Sequence, residues 1–184
     1  MIPKDRNRGG LTVPAILVTV IPTAATIIAI MLRNVLILDY DHVLLGAIWT
    51  GIDVFFGLIF RFVFKEVSKE TRQIVANRML PATLFFLPVS SILTPLAGYY
   101  LANIEGIWVL GNPIVNTVIV VAAVVVATGF LTIFYQSFLI AIGMGGGDDA
   151  ILKRRFTWII NGALLQAVLQ IGLISMMAYW VVFQ

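Results

Sequence analysis

Long apolar runs separated by short charged stretches dominate the pattern of hydrophobic and polar positions along this chain of 184 residues. A membrane-crossing helix needs about 20 largely apolar residues, and several runs reach that length. They cover residues 11–32, 43–64, 80–101, 115–142 and 158–183. The runs are continuous rather than alternating, which favours helices over the strands of a β-barrel. The pattern predicts one all-α domain over residues 1–184, a polytopic membrane protein built as a bundle of five transmembrane helices.

Basic residues fall on one side of these predicted spans. Cytoplasmic loops near helix ends collect Lys and Arg. Apart from Arg33, each of the 12 Lys and Arg residues lies before the first run, near the connection between the second and third, or near the connection between the fourth and fifth. The distribution predicts a multi-pass protein of the cell membrane with its N-terminus in the cytoplasm and its C-terminus outside.

Composition agrees with a lipid environment. The chain is 60% hydrophobic and 11% charged, whereas a soluble domain carries about 25% charged residues. It contains no cysteine and one histidine, which excludes disulfides, thiolate zinc sites and cysteine-held iron–sulfur clusters. The net charge of +3 fits contact with anionic lipids and gives no reason to expect nucleic acid. The expected partners are the lipid bilayer and either further copies of the chain or other membrane subunits.

An acidic residue, Asp53, lies near the middle of the second predicted span. An ionisable group at the bilayer centre costs about 2.5–3.5 kcal/mol on insertion scales, so its side chain is expected to face protein or water. At steps of three and four residues, it shares one helical stripe with His42, Gly46, Trp49 and either Phe56 or Gly57. Residues at such steps lie on the same side of a helix, and this stripe is therefore predicted to be the buried face.

Polar side chains on the other runs lie at a similar depth and are expected to form a polar centre around Asp53. The candidates are Ser91 and Thr94 on the third run, Thr128 and Thr132 on the fourth, and Gln166 and Gln170 on the fifth. Two interpretations of Asp53 stay open: it carries or stores a proton, or it is a structural hydrogen-bond hub between helices. His42 is likewise either a ligand or a solvated residue at the outer boundary.

The stretch from His42 to Gly51 carries a family resemblance. His42, Trp49-x-Gly51 and the following Phe55 and Phe56 resemble the opening helix of small bacterial and archaeal membrane bundles: the copper-resistance CopD-like proteins, the HemJ-type protoporphyrinogen oxidases and related integral membrane proteins. The resemblance implies a helical bundle that holds haem b, with His42 as an axial ligand to the iron and Trp49 lining the pocket. The chain departs from the family in its additional first helix and in lacking a second histidine for the other axial position.

These features support three alternative functions. The first is membrane redox or proton chemistry with haem or quinone at His42, alone or within a respiratory-type complex. The second is a non-catalytic packing or anchoring subunit, to which spacings such as Ala47-x-x-x-Gly51 are suited. The third is a proton-coupled transporter or channel that uses Asp53. Whether the protein is an enzyme stays open, and no catalytic residue is assigned.

Overall fold

A computed structural model describes residues 13–143 and 148–182 of the chain. Within these two ranges the backbone forms helices and short turns, and no strand occurs. The helices are α1 (Val13–Leu32), α2 (Val35–Glu66), α3 (Lys69–Ile104), α4 (Pro113–Ala141) and α5 (Asp149–Val182). The prediction of an all-α fold is confirmed. Residues 11, 12 and 183, at the ends of two predicted spans, lie outside the described residues.

The lengths and compositions of these helices indicate a multi-pass membrane protein. α2 to α5 contain between 29 and 36 residues each, against about 20 needed to cross the hydrocarbon core. These four are long and apolar enough to span a membrane, and Ile16–Leu32 within α1 forms a shorter apolar helix.

α2 begins well before the apolar run that predicted it. The side chain of Asn34 accepts a hydrogen bond from the backbone nitrogen of Ile37 at 3.1 Å, which is the usual action of an N-cap. Arg33, with a φ of 48°, makes the turn from α1. Asp41 and His42 consequently lie inside the helix, two turns from its start, rather than in a loop ahead of it.

Most of the charged stretch between the second and third predicted runs, and the basic residues that precede the fifth, lie inside the helices α2, α3 and α5. Arg72 of α3 is 4% exposed, donates to Asp149 Oδ1 at 2.6 Å and to the Val67 carbonyl at 2.9 Å, and lies 5.4 Å from the centre of the Phe64 ring. One guanidinium thus holds the end of α2 and the starts of α3 and α5 together. We call this part of the molecule the basic end; it includes Arg61, Lys65, Lys69, Arg72 and Lys153.

Short π-helical segments interrupt three of the helices: Phe55–Phe60 in α2, Ala82–Phe86 in α3 and Gly129–Phe134 in α4. Such segments are frequent at functional sites, because the extra residue per turn changes the direction of the side chains. In α3 the segment lies between two prolines, which remove backbone donors from the helix. Side-chain hydroxyls bond carbonyl oxygens near these prolines. The Thr83 hydroxyl donates to the Met79 carbonyl at 3.3 Å, and the Ser91 hydroxyl donates to the Pro88 carbonyl at 2.8 Å.

α2 is the central helix of the bundle. It packs against α1, α3 and α5, and α5 packs in turn against α4. Towards the basic end the contact between α2 and α5 is aromatic, with the rings of Phe64 and Phe156 stacked at a centroid distance of 4.3 Å. Trp49, Phe56 and Phe60 belong to the same buried cluster. This packing directs the predicted stripe of α2 into the protein interior.

We expect Gly57→Ala to destabilise the bundle by about 1–3 kcal/mol, the usual cost of overpacking a core. A Cβ on Gly57 would lie 2.7 Å from Leu164 Cα, so α2 and α5 would have to separate. Gly51 on the same helix provides the matched control, because nothing lies within 4 Å of the position of its Cβ. Gly51→Ala should be neutral or slightly stabilising, since alanine favours a helix. Chemical unfolding in detergent measures both, and equal losses would contradict this contact.

Candidate functional site

Asp53 is completely buried, with 0% of its surface exposed. Its Oδ2 accepts a hydrogen bond at 3.1 Å from the Nε2 amide of Gln170, which lies on α5. Its Oδ1 has no hydrogen-bond partner among the described residues. The carboxyl group is therefore held between two helices by one uncharged donor.

The helical spacing on α2 accounts for this position. Trp49, Asp53 and Phe56 are all buried and His42 and Gly46 are partly buried, so the predicted stripe is the face that packs inward. At its outer end Gly46 lies against α3, where a Cβ would be 3.4 Å from the Thr94 methyl group. At its inner end Gly57 meets the backbone of α5. The prediction that Asp53 faces protein is confirmed.

Further polar atoms in the interior lack hydrogen-bond partners among the residues that the structure describes. They are Ser90 Oγ, Thr94 Oγ1, Ser137 Oγ, Gln166 Oε1 and Gln170 Oε1. Most buried polar groups in proteins are hydrogen-bonded to protein or to ordered water. An interior with this many unpaired oxygens is chemically suited to water and to the exchange of protons.

A small cavity lies where three helices approach α5. It has a volume of about 10 Å³, which is close to the space that one water molecule requires. Its wall includes Trp49 of α2, Thr83 and Ser91 of α3, Gly129 of α4 and Gln166 of α5. Two of the π-helical segments therefore contribute to the wall of this cavity.

His42 lies between α2 and α3. Its Nδ1 is 2.8 Å from the carbonyl oxygen of Thr94, and a Cβ on Gly98 would lie 2.7 Å from its Cε1. Because a carbonyl can only accept, Nδ1 carries the proton and Nε2 has a free lone pair in the neutral ring. This arrangement is common in histidines that bind metals, where a carbonyl fixes the tautomer.

The family resemblance implies that His42 and Trp49 bind a haem, and the structure fits this role for His42 better than for Trp49. His42 has the tautomer that an axial ligand needs, because Nε2 is free to bind. Trp49 is 5% exposed and packed in the buried cluster, and it does not line an open pocket beside His42. Among the described residues no group of three or more His, Cys, Asp or Glu side chains is placed to hold a metal ion.

The other members of the predicted polar centre are only partly brought together. Gln166 donates through Nε2 to the Val125 carbonyl of α4 at 2.8 Å, so it bonds a different helix from Gln170. The Thr132 hydroxyl donates to the Thr128 carbonyl of its own helix at 2.7 Å. Ser91 likewise donates within α3. Among the described residues Asp53 and Gln170 form a hydrogen-bonded pair, and Gln166, Thr132 and Ser91 donate elsewhere.

Sequence reasoning missed a second buried carboxyl group, Asp41. It is 9% exposed, and its Oδ2 accepts a hydrogen bond at 2.8 Å from the hydroxyl of Thr26 on α1. The signal was present, because Asp41 precedes Leu45 and Trp49 at steps of four on the buried face. It was hidden by neighbouring Asp39 and His42, which together resemble a polar loop.

Comparisons with protein-family models, with curated proteins and with solved structures find no match to this chain.

Proposed function

We propose that this chain is a small integral membrane protein that handles protons in membrane redox chemistry, alone or within a larger respiratory-type complex. The observation that carries the proposal is the complete burial of Asp53, with Gln170 as the only hydrogen-bond donor to it among the described residues. Intramembrane carboxyl groups of this kind are typical of proton relays.

The chemistry of the site favours a proton over a larger cation. A metal ion such as Ca²⁺ takes six to eight oxygen ligands, whereas Asp53 is met by one amide nitrogen. The cavity in the same part of the bundle, which Gln166 and Trp49 line, accommodates about one water. A proton needs no such coordination shell.

Groups that exchange protons follow one another along α2. Asp41 accepts a hydrogen bond from Thr26 of α1. His42 is hydrogen-bonded to the carbonyl of Thr94 of α3. Asp53 accepts a hydrogen bond from Gln170 of α5. At 1.5 Å per residue, Asp41 and Asp53 lie about 18 Å apart along the helix axis. Thr94 of α3 borders this interval of α2, with its carbonyl at His42 and its methyl group at Gly46. These side chains support a proton pathway along the α2–α3 contact.

The proposal includes five spans, with α1 as the fifth, in the cell membrane. The N-terminus is placed in the cytoplasm and the C-terminus outside. The contacts of Arg72 with Asp149, Val67 and Phe64 support one part of this orientation, because they hold two of the basic connections at the same end of the bundle. Lys and Arg concentrate on the cytoplasmic side of membrane proteins.

Single cysteines test this orientation, since the chain has none of its own. Ser68→Cys at the basic end should react with a membrane-impermeant maleimide only after cells are permeabilised. Val109→Cys, in the exposed connection between α3 and α4, should react in intact cells. An N-terminal epitope should be hidden in intact cells. An accessible epitope together with an accessible Val109→Cys would mean that α1 does not cross the membrane.

Asp53→Asn is expected to abolish proton movement without unfolding the protein. An asparagine keeps the size of the side chain and can still accept the Gln170 hydrogen bond, but it cannot bind and release a proton. In liposomes containing a pH-sensitive dye, proton uptake should fall to the rate of protein-free vesicles. The infrared band of the protonated carboxyl should disappear. Asp39→Asn is the matched control, because Asp39 is exposed on the same helix, and it should leave both signals unchanged.

The same experiment separates the alternatives. Uptake that persists in Asp53→Asn would remove Asp53 from the pathway, whereas a parent protein with no uptake above that of protein-free vesicles would favour a packing or anchoring subunit. Ala47 and Gly51, on the outer surface of α2, support that role, because small residues allow another helix to approach closely. Uptake that requires both Asp53 and a co-substrate gradient would favour the proton-coupled transporter.

A haem or quinone at His42 is proposed as the redox partner of this site, on the evidence of its free Nε2. A bound haem would supply electron transfer, and the Thr94 carbonyl would fix the orientation of the imidazole ring. Purified protein titrated with haem b should develop a Soret absorbance that His42→Gln loses and Asp39→Asn retains. An equal absorbance in His42→Gln would contradict this ligand role.

A further inference from the structure

A cleft of about 310 Å³ opens between α2 and α5 at the basic end. From α2 it is lined by Arg61, Phe64 and Lys65, and from α5 by Lys153, Thr157, Ile160 and Asn161. This volume is at the lower limit of small-molecule sites, which range over about 300–1,000 Å³. The cleft is remote from the Asp53–Gln170 pair, since Phe60, Phe64 and Phe156 lie between the two on the α2–α5 contact.

The charge of the cleft is of one sign. Arg61, Lys65 and Lys153 are exposed at its rim, and none of the lining residues is acidic. Asp149, which does not line the cleft, lies 3.2 Å from Lys153 Nζ. Asp149 also accepts the short hydrogen bond from Arg72, so its charge is shared between two cations. Arg61 and Lys65 are available for an anion.

The base of the cleft is apolar. Phe64 and Ile160 are buried, and the Phe64 ring stacks on Phe156. One helical turn towards the middle of the membrane, Leu58 and Leu165 are each 50% exposed. Leu165 lies four residues after Asn161, on the same face of α5, and Leu58 lies three residues before Arg61 in the π-helical segment of α2. The basic cleft therefore adjoins an exposed apolar surface on α2 and α5.

We propose that this cleft binds the phosphate group of an anionic phospholipid. Arg61, Lys65 and Lys153 meet the phosphate, the Asn161 amide and Thr157 hydroxyl bind neighbouring headgroup oxygens, and the acyl chains follow Leu58 and Leu165. Basic pockets between transmembrane helices favour anionic headgroups in this way. The apolar continuation favours a lipid over free phosphate, which has the same charge but no use for that surface. The inference goes beyond the proposed function and does not depend on Asp53.

The test compares two double variants that remove equal charge from the same end of the bundle. Arg61→Gln with Lys65→Gln alters the cleft, whereas Lys69→Gln with Arg78→Gln alters exposed cations that do not line it. Full-length protein in a neutral detergent is titrated with short-chain phosphatidylglycerol, with short-chain phosphatidylcholine and with inorganic phosphate. Native mass spectrometry and the shift in unfolding temperature report binding. All four positions are exposed, and an unfolding temperature without lipid equal to that of the parent verifies folding.

The parent should bind phosphatidylglycerol in preference to phosphatidylcholine. The cleft variant should lose about thirtyfold in affinity, because each Lys or Arg near an anionic lipid contributes a factor of about five. The control variant should retain parental binding. Equal losses in both variants, or equal binding of the two lipids by the parent, would overturn the proposal. Binding of inorganic phosphate as tight as that of phosphatidylglycerol would overturn the lipid as the source and assign the cleft to free phosphate.

Discussion

The packing of the bundle depends on one constraint: the carboxyl group of Asp53 cannot lie in hydrocarbon without a polar partner. α2 must therefore turn the face that carries Asp53 towards other helices. That orientation brings Trp49 and Phe56 into the core and places Gly57 against the backbone of α5. The Gln170 amide completes the arrangement from α5. The apolar contacts provide most of the buried surface, but the acid selects the rotation of the central helix.

Sequence periodicity predicted this face of α2 because the steps between its polar and aromatic residues are local properties of one helix. It could not decide which glutamine would meet Asp53. Gln166 and Gln170 are four residues apart on one side of α5, yet one bonds the Val125 carbonyl and the other the carboxyl group. That choice depends on the relative rotation and height of three helices. Asp41 was missed for a related reason, since only the position of Thr26 on α1 shows that its carboxyl is buried.

The helix boundaries show a second limit of hydropathy. Apolar runs mark the hydrocarbon region, but a helix continues for as long as its backbone groups find partners and its caps are satisfied. Asn34 therefore starts α2 ahead of the charged cluster at Asp39. Arg72 and Asp149 likewise stabilise polar first turns of α3 and α5. Hydropathy located the apolar segments, whereas a local cap at Asn34 and a long-range ion pair between Arg72 and Asp149 stabilise the starts of the helices.

Polar contacts differ in kind between the interior and the basic end. In the interior the carboxyl groups of Asp41 and Asp53 meet the neutral donors Thr26 and Gln170, whereas Asp149 at the basic end meets two cations. A full ion pair in the interior would cost more desolvation than its attraction returns unless every remaining polar atom were bonded. Neutral donors avoid that cost. Because Asp41 contacts α1 and Asp53 contacts α5, the two carboxyl groups join α2 to different neighbouring helices.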